Sequence, residues 1–302
     1  MNIIFFGTPL FAKNILENLL SDKYFNIIGL VTQIDKPFGR KKELKAPQTK
    51  EFLESIKSDI PIFQPINLND TKFIYDLNPD IILVVAYGNL IPKDIINNFN
   101  CINIHASILP KSRGASPIQD MILRDDRFFG ISVMKMSHRL DDGDILGIRY
   151  IENPKLDIEE ATIFLSIISA TFITKILKEL DCITPLPQFH TDSTYCKKIR
   201  KIDGEIDFIN AFEIYLKYLA YKRWPNIFLK NGTKLFSIDI NELDSVNKKG
   251  EILQINKDYI VVGCIKGSLI IKELQDIGKN KINAQSYLLG KRLKVGDVLN
   301  GN

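Results

Sequence analysis

The chain has 302 residues, 45% of them hydrophobic and 25% charged, which is the balance of a folded globular protein and excludes a disordered one. This length favours two domains, since chains beyond roughly 250 residues seldom build a single core. No run of about 18 apolar residues and no basic leader occurs, so the sequence argues against a membrane span or an export signal and predicts a cytoplasmic protein.

Short apolar runs alternate with helical patterns through residues 1–150. This rhythm is typical of βαβ units, which build a parallel sheet with helices on its faces. The run from Ile81 to Ala86 is apolar at every position, as a central strand covered on both faces requires. The predicted strands are Asn2–Phe6, Ile27–Val31, Ile81–Ala86, Ile102–His105 and Ile131–Met136, and the predicted helices are Phe11–Leu20, Pro92–Phe99 and Pro117–Leu123.

A basic segment follows the second predicted strand. Residues 36–50 carry six basic side chains against one acidic side chain, that of Glu43. Either a solvated mobile loop or a clamp on phosphate groups would have this composition. A nucleotide cofactor is disfavoured, because Gly7-Thr8-Pro9 supplies a single glycine and neither a P-loop nor a GxGxxG fingerprint is present.

The stretch Cys101-Ile102-Asn103-Ile104-His105 is the most informative one for chemistry. Side chains alternate along a strand, so Asn103 and His105 share one face near the carboxyl end of the strand, where open parallel sheets bind ligands. Two polar side chains on a buried strand are costly to desolvate unless they are paired. They are therefore either a satisfied pair that supports a loop or part of a functional site.

Two loops after this strand contain further polar residues. Residues 107–117 are rich in turn-forming residues and lead into a helix with Pro117 in its first turn, so this loop could wall a pocket above the sheet. Farther on, Leu140-Asp141-Asp142-Gly143-Asp144 places three carboxylates around one glycine. Such a loop is more commonly a solvated turn than a catalytic one, and the ligand spacing of an EF-hand is missing.

The second half of the chain changes character. Residues 158–180 have the periodicity of a long amphipathic helix that closes the first domain, and Pro185, Pro187 and Gly204 then mark a linker. Beyond a helix at Ala211–Arg223, five short strand patterns predict a small β-barrel. These predicted strands are Asn226–Lys230, Thr233–Ile240, Glu251–Ile255, Tyr259–Cys264 and Ser268–Glu273.

The net charge of +4 is unevenly distributed. Residues 191–302 hold 19 Lys and Arg against 13 Asp and Glu, whereas residues 1–190 hold 21 against 23. This asymmetry favours a polyanionic partner, such as a nucleic acid, for the C-terminal part. The four cysteines form no CxxC pair and have no histidine at metal-ligand spacing, so we expect reduced thiols and no metal site.

Three of these stretches, taken in order, resemble the signature of the folate-dependent formyltransferases. They are Asn103-Ile104-His105, then Ser107-Ile108-Leu109-Pro110 with Arg113-Gly114, then Leu140-Asp141-Asp142-Gly143-Asp144. Within that family the chain is most similar to the methionyl-tRNA formyltransferases. That similarity spans essentially the whole chain and includes Phe6-Gly7-Thr8-Pro9-Leu10-Phe11-Ala12, the basic stretch from Thr32 to Lys42, Val84-Val85-Ala86-Tyr87-Gly88 and, more loosely, Arg223-Trp224-Pro225.

The resemblance implies a fold, a reaction and partners. It implies an α/β fold in which residues 1–189 form a Rossmann-like formyltransferase domain with a mostly parallel sheet. Residues 190–207 would be a linker, and residues 208–302 a small OB-like β-barrel that binds tRNA. The implied reaction transfers the formyl group of 10-formyltetrahydrofolate, a co-substrate, to the α-amino group of methionyl-initiator tRNA for translation initiation. The enzyme would be a monomer that needs no metal and no membrane.

The resemblance also assigns residues to these tasks. Asn103 and His105 would stabilise the oxyanion of the reaction, and Asp144 would lie beside His105 and assist proton transfer, with the residue that takes the amine proton left open. Folate binding falls to Tyr87, Gly88, Ser107, Leu109, Pro110, Arg113 and Gly114, and tRNA binding to Arg40, Lys41 and Lys42.

Two departures and two rival functions accompany this assignment. Ala106 and Arg139 stand where the family frequently has glycine, and Arg139 would be strained if its position needs a positive φ. One rival is a formyltransferase that acts on a nucleotide-linked amino sugar or on glycinamide ribonucleotide. The other is a non-catalytic tRNA-binding relative, against which the presence of Asn103, His105 and Asp144 argues.

Overall fold

The computed structural model describes residues 1–39 and 43–299. Arg40, Lys41 and Lys42, which are predicted to bind tRNA, lie outside the described residues. The chain folds into two compact units. The first comprises Met1–Pro117, Arg127–Glu152 and Glu160–Cys196, and the second comprises Ile118–Asp126, Asn153–Glu159 and the chain from Lys197 onward.

The first unit contains a seven-stranded sheet and two short pairs of strands. Its strands are β1 (Asn2–Gly7), β2 (Asn26–Val31), β3 (Lys36–Phe38), β4 (Glu43–Lys45), β5 (Ile62–Phe63), β6 (Ile81–Val85), β7 (Cys101–His105), β8 (Arg113–Gly114), β9 (Phe128–Lys135), β10 (Ile145–Glu152) and β11 (Tyr195–Cys196). The helices of the chain up to this point are α1 (Leu10–Leu20), α2 (Gln48–Ser55), α3 (Lys72–Leu77), α4 (Lys93–Asn98), α5 (Pro117–Leu123) and α6 (Ile158–Lys178).

The large sheet has the strand order β10-β9-β7-β6-β1-β2-β5. Strands β1, β2, β5, β6 and β7 are parallel, which confirms the predicted parallel sheet, and β9 and β10 extend it in antiparallel fashion. Every residue of β6 is buried, as its uniformly apolar sequence predicts. Strand β7, the next strand of the sheet, also has a neighbour on each side: β6 pairs with it in parallel and β9 in antiparallel fashion.

Helix α6 confirms the long helix predicted at residues 158–180. It is the one helix in the described part of the chain that is long and apolar enough to cross a membrane. The contacts of α6 show that its apolar residues pack inside the protein. Asn18 of α1 donates to the Ala170 carbonyl oxygen at 3.0 Å, and Leu165 and Ile173 are fully buried. We conclude that α6 is a core helix of the first unit.

Several elements of the first unit are absent from the sequence-based prediction. The basic segment contains an antiparallel pair of short strands, β3 and β4, and it leads into α2. Helix α2 is attached to the sheet by Thr49, whose hydroxyl donates to the Gly7 carbonyl oxygen at 2.9 Å. The described parts of this segment thus comprise the strand pair β3–β4 and the start of α2.

The second unit contains an antiparallel sheet together with α7 (Ala211–Tyr221), α8 (Ala284–Lys291) and the part of α5 from Ile118 onward. The strands of this sheet are β12 (Ile227–Phe228), β13 (Lys234–Glu242), β14 (Ile252–Ile255), β15 (Ile260–Gly263), β16 (Ser268–Gln275) and β17 (Ile282–Asn283). The order β12-β13-β16-β15-β14, with β17 beside β16, includes all five predicted strands. Helices α7 and α8 begin after Asn210 and Asn283, whose side chains accept hydrogen bonds from backbone N–H groups of the first turn.

The segment predicted to be a linker, residues 190–207, contains short regular elements. Tyr195 and Cys196 form β11, which pairs with β8 in the first unit, and Lys201–Gly204 form a short 3-10 helix. All four cysteines are free, and Cys182 is exposed. Burial raises the pKa of the Cys101 and Cys264 thiols to about 12, so these two remain protonated at neutral pH.

Candidate active site

Strand β7 brings Asn103 and His105 to one face of the sheet, as the alternation of its sequence predicts. Asn103 is only 9% exposed and His105 only 6%. Asn103 lies opposite Met134 of β9, and His105 lies opposite Ser132. Both side chains therefore need polar partners inside the protein.

The partner that they share is the carboxylate of Asp141. Asn103 Nδ2 lies 3.4 Å from Asp141 Oδ1, and His105 Nδ1 lies 3.6 Å from Asp141 Oδ2. The backbone N–H of Gly114 donates to the same Oδ2 at 2.9 Å. A carboxylate can only accept hydrogen bonds, so the NH₂ group of Asn103, and not its oxygen, faces Asp141.

The other ring nitrogen of His105 fixes its tautomer. Nε2 lies 2.8 Å from the carbonyl oxygen of Ser112, which can only accept a hydrogen bond. Nε2 must therefore carry a proton. In the neutral ring, Nδ1 then bears the lone pair, and it is the nitrogen that faces Asp141.

The structure corrects the expectation for Asp144. The carboxylate beside His105 belongs to Asp141, three positions earlier in the same loop, whereas Asp144 is exposed and its backbone carbonyl accepts from the N–H of Lys135 at 2.9 Å. The motif alone could not separate the two aspartates, because the choice depends on how the loop turns. We therefore transfer the role expected for Asp144 to Asp141.

The turn of this loop also corrects the expectation for Arg139. The backbone φ of Asp141 is positive, at 53°, whereas Arg139 is not among the described residues with a positive φ. The backbone strain that a positive φ would cause at Arg139 is therefore not present. Gly143 is required for a different reason. A Cβ added there would lie 1.8 Å from the carbonyl oxygen of Lys135, so only glycine lets the loop pass this close to β9.

The loop after β7 is held by hydrogen bonds to its own backbone and to β9. Ser107 Oγ donates to the Lys111 carbonyl oxygen at 2.6 Å, and the Leu109 N–H donates to Ser132 Oγ at 3.0 Å. Ser107 and Leu109 are buried, while Pro110 and Gly114 are partly exposed. Of these four predicted folate-binding residues, Pro110 and Gly114 are the more exposed to solvent.

Tyr87 and Gly88 lie at the end of β6, next to β7. The Tyr87 ring is buried edge-on against Phe6, with centroids 5.2 Å apart, and its burial raises the pKa of the phenol. Its carbonyl oxygen accepts from Thr8 Oγ1 at 3.1 Å and from Gln33 Nε2 at 3.0 Å. Gly88 is exposed, so Tyr87 supports this turn and Gly88 presents it to solvent.

The side chain of Arg113, which is predicted to bind folate, lies inside the protein. It is 1% exposed, and its Nε and Nη2 atoms donate to Gln188 Oε1 at 3.1 and 2.6 Å. Gln188 was missed by the sequence analysis, because it lies 75 residues beyond Arg113 in a segment with the composition of a linker. The -Pro-Gln-Phe-His- stretch around it offers no pattern that would have identified it.

The family models decide where the chain belongs. The model for formyl transferase matches residues 1–160, and the model for the formyl transferase C-terminal domain matches residues 198–292. The chain belongs to the formyl transferase family. The first match contains β7 and the Asp141 loop, so the candidate active site lies in the part of the formyltransferase that defines the family.

Both a relative of high sequence identity and a solved structure that resemble this chain are methionyl-tRNA formyltransferases. The chain is 48% identical to the methionyl-tRNA formyltransferase of Helicobacter pylori strain P12, over 99% of this chain and 100% of that relative. Among solved structures, it resembles the methionyl-tRNA formyltransferase from Clostridium thermocellum, with a TM-score of 0.55, 22% identity and coverage of 88% of this chain and 100% of that one.

A second solved structure shows how widely the fold is shared. The chain also resembles the N-formyltransferase from Helicobacter canadensis in complex with folinic acid and dTDP-3-aminofucose. That match has a TM-score of 0.66 and 18% identity, and it covers 89% of this chain and 97% of that one. At such identities the two structures establish the fold of this formyltransferase and not its acceptor.

Proposed function

We propose that this formyltransferase transfers the formyl group of 10-formyltetrahydrofolate to the α-amino group of methionyl-initiator tRNA, for translation initiation. The observation that carries the proposal is the 48% identity to a methionyl-tRNA formyltransferase along the full length of both chains. The arrangement of Asn103, His105 and Asp141 supports it, because this cluster has the groups that formyl transfer requires.

Formyl transfer needs a hydrogen-bond donor and a proton acceptor. The neutral amine attacks the formyl carbon, and the carbonyl oxygen becomes negatively charged in a tetrahedral intermediate. The intermediate then collapses as the bond from carbon to N10 of the folate breaks. The amine loses one proton and N10 gains one, so the overall reaction is balanced. A protein accelerates it by stabilising the oxyanion and by moving that proton.

The residues of the cluster divide these tasks. Asn103 has two amide N–H groups, of which one faces Asp141 and the other is available to the oxyanion. His105 accepts the amine proton at Nδ1, since Nε2 is already protonated and bound to Ser112. The carboxylate of Asp141, 3.6 Å from Nδ1, then lies beside the imidazolium and stabilises its charge.

Folate binding is assigned to the surface beside this cluster. Gly88, Pro110 and Gly114 present exposed or partly exposed atoms at the ends of β6 and in the loop after β7. The buried residues Tyr87, Ser107, Leu109 and Arg113, which were predicted to bind folate, hold that surface in place from behind.

The acceptor tRNA is assigned to two basic regions. Arg40, Lys41 and Lys42 lie in the sequence between β3 and β4, and we propose that they contact the acceptor end. We also propose that residues 208–302 form an OB-like domain, separated from residues 1–189 by a linker at 190–207, which binds the acceptor arm through its phosphates. The enzyme would act as a monomer in the cytoplasm.

The decisive experiment measures transfer of labelled formyl from 10-formyltetrahydrofolate to methionyl-initiator tRNA. The wild type should be active, and Asn103→Ala should lose about 100- to 1000-fold in rate at unchanged stability. A variant with Arg40, Lys41 and Lys42 replaced by alanine should fail mainly in tRNA affinity. If the wild type binds the folate and ignores charged tRNA, the acceptor is wrong, and transfer to nucleotide-linked amino sugars should be measured next.

A further inference from the structure

Gln188 lies buried between a guanidinium group and the loop that carries Asp141. Its Oε1 atom accepts from Arg113 Nε and Nη2, and its Nε2 atom donates to the carbonyl oxygens of Asp141 at 3.0 Å and Gly143 at 2.8 Å. The side chain is 7% exposed. Both ends of its amide group are therefore engaged inside the protein.

The chemistry of these partners allows one orientation of the amide group. A guanidinium only donates hydrogen bonds, so it must face the amide oxygen. Backbone carbonyls only accept, so they must face the NH₂ group. Rotating the amide by 180° would place its NH₂ group against two donor nitrogens of Arg113 and its oxygen against two carbonyl oxygens. Arg113 thus fixes how Gln188 presents its N–H groups to the Asp141 loop.

Arg113 is itself held in place. Nη1 lies 3.3 Å from His190 Nδ1 and 3.4 Å from the Tyr195 hydroxyl. The backbone of Arg113 belongs to β8, which pairs with β11 at Tyr195 and Cys196. The guanidinium is therefore fixed from two sides, and residues 188–196 contribute to the surroundings of the active site.

The loop that Gln188 contacts needs such support. Asp141 has a φ of 53°, in the left-handed region, which aspartate adopts more often than most residues but less readily than glycine. Its backbone conformation determines where its carboxylate points, and the carboxylate lies 3.4 Å from Asn103 and 3.6 Å from His105. A small rotation of this backbone would move the carboxylate away from both.

We propose that Gln188 is a positioning residue for the formyl transfer reaction, oriented by Arg113. Through its two donated hydrogen bonds it holds the backbone of residues 141–143 so that the Asp141 carboxylate faces Asn103 and His105. The inference rests on the proposed function for its kinetic consequence, and on the hydrogen bonds alone for its structural one. It also gives Arg113 a task other than contact with the folate.

The most specific test replaces the NH₂ group of Gln188 by an oxygen and keeps the size and shape of the side chain. Gln188→Glu retains an oxygen for Arg113 but puts an oxygen where the NH₂ group meets two carbonyls, so both hydrogen bonds to the loop are lost. We expect kcat for formyl transfer to fall about 100-fold, since a displacement of roughly 1 Å at a reacting centre has that effect. KM for the folate and for the tRNA should be little changed, because the Gln188 side chain is buried and engaged by protein groups at both ends of its amide.

Control variants distinguish the loss of a positioned Asp141 carboxylate from a general loss of folding. Asn97→Asp makes the same amide-to-acid change on an exposed residue of α4 and should leave kcat unchanged. Arg113→Lys keeps a donor for Gln188 Oε1 and should retain more activity than Arg113→Met. A Gln188→Glu variant with full kcat would overturn the proposal, as would a loss of activity confined to KM.

A crystal structure of the Gln188→Glu variant gives a readout that does not depend on activity. The distance from Asp141 Oδ2 to His105 Nδ1, 3.6 Å in the wild type, should increase. If the wild type fails to formylate methionyl-tRNA, the proposed function is wrong, and this distance still decides on the positioning role. An unchanged distance and an unchanged loop would show that Gln188 does not hold Asp141.

Discussion

Asp141 Oδ2 and His105 Nδ1 lie 3.6 Å apart, within the range of an ion pair but beyond that of a hydrogen bond. With the lone pair on Nδ1, the neutral ring makes no hydrogen bond to this carboxylate, and an ion pair forms only when Nδ1 is protonated. Catalytic hydrogen bonds are commonly long in an enzyme without substrate and shorten as the reaction proceeds. The pair has room to close when His105 takes up a proton.

The role of Asp141 can be tested against its neighbour in the same loop. Asp141→Asn removes the negative charge beside His105 and should lower kcat by about 100- to 10,000-fold, the range for a disrupted proton transfer. Asp144→Asn changes an exposed carboxylate and should leave kcat near the wild-type value. Single-turnover formyl transfer measures both. If Asp144→Asn were the inactive variant, the assignment of the two aspartates would be reversed.

Gly143 provides a test of the loop's close approach to β9. In Gly143→Ala, the added Cβ would lie 1.8 Å from the Lys135 carbonyl oxygen, so the loop must shift. We expect formyl transfer to be lost and thermal stability to fall, since backbone cannot yield as a flexible side chain does. Gly290→Ala, whose Cβ meets nothing within 4 Å, should be neutral or stabilising by about 0.5–1 kcal/mol in helix α8. Thermal unfolding of the two variants compares them directly.

The sequence was sufficient to predict the elements whose burial is strong and regular. The wholly buried β6 and the long helix α6 were predicted because their apolar patterns are uninterrupted. Strand β10 was missed because it lies at the edge of the sheet, with partly exposed residues that show no alternation. Helix α2 was missed because it buries only Thr49 and Leu53.

The sequence likewise predicts some residues of the candidate site and not others. The juxtaposition of Asn103 and His105 follows from the period of a single strand and was predictable. The choice of Asp141 over Asp144 depends on a left-handed backbone conformation that the sequence does not mark. Gln188 contacts residues 45 and 47 positions away, and such long-range contacts leave no local pattern in one sequence.

An ion pair beside the basic segment of residues 36–50 offers a test of tRNA recognition. Lys50 of α2 donates to both carboxylate oxygens of Asp35 at 3.0 and 2.9 Å, and Gln64 donates to one of them at 2.7 Å. Hydrogen bonds from Gln64 and Lys50 lower the pKa of Asp35, so this connection is present above the carboxyl's ordinary pKa of 3.8 and is lost only in acid. It attaches the start of β3 to α2 at neutral pH.

Removing that attachment should affect the tRNA and not the folate. Lys50→Met should raise KM for methionyl-tRNA about fivefold and leave KM for the folate unchanged. Lys23→Met removes the same charge at an exposed position and should change neither constant. Steady-state kinetics with each substrate varied in turn distinguishes them. A rise in KM for the folate alone would show that the basic segment contributes to folate binding instead.

A carboxylate in the second unit should dominate its response to acid. Asp276 follows β16, and its carboxylate accepts from the Tyr287 hydroxyl at 2.9 Å and Thr233 Oγ1 at 3.0 Å, with Lys291 Nζ at 3.1 Å. Burial raises the pKa of Asp276, but these hydrogen bonds outweigh it and lower the pKa from 3.8 to about 2. The ionised form is thus favoured in the folded state.

The lowered pKa of Asp276 makes the folded state more stable at neutral pH than in acid. Because the folded-state pKa lies below the unfolded one, the stabilisation is complete above about pH 3.8 and is lost as the pH falls through about 2. Asp276→Asn should therefore lower the free energy of unfolding by about 2 kcal/mol at pH 7, and the difference from the wild type should shrink as the pH falls towards 2. Asp258→Asn, at an exposed position, should show no such difference at any pH. Urea unfolding between pH 2 and pH 7 makes the comparison, and a difference that stayed constant over this range would mean that the charge of Asp276 is not what stabilises the second unit.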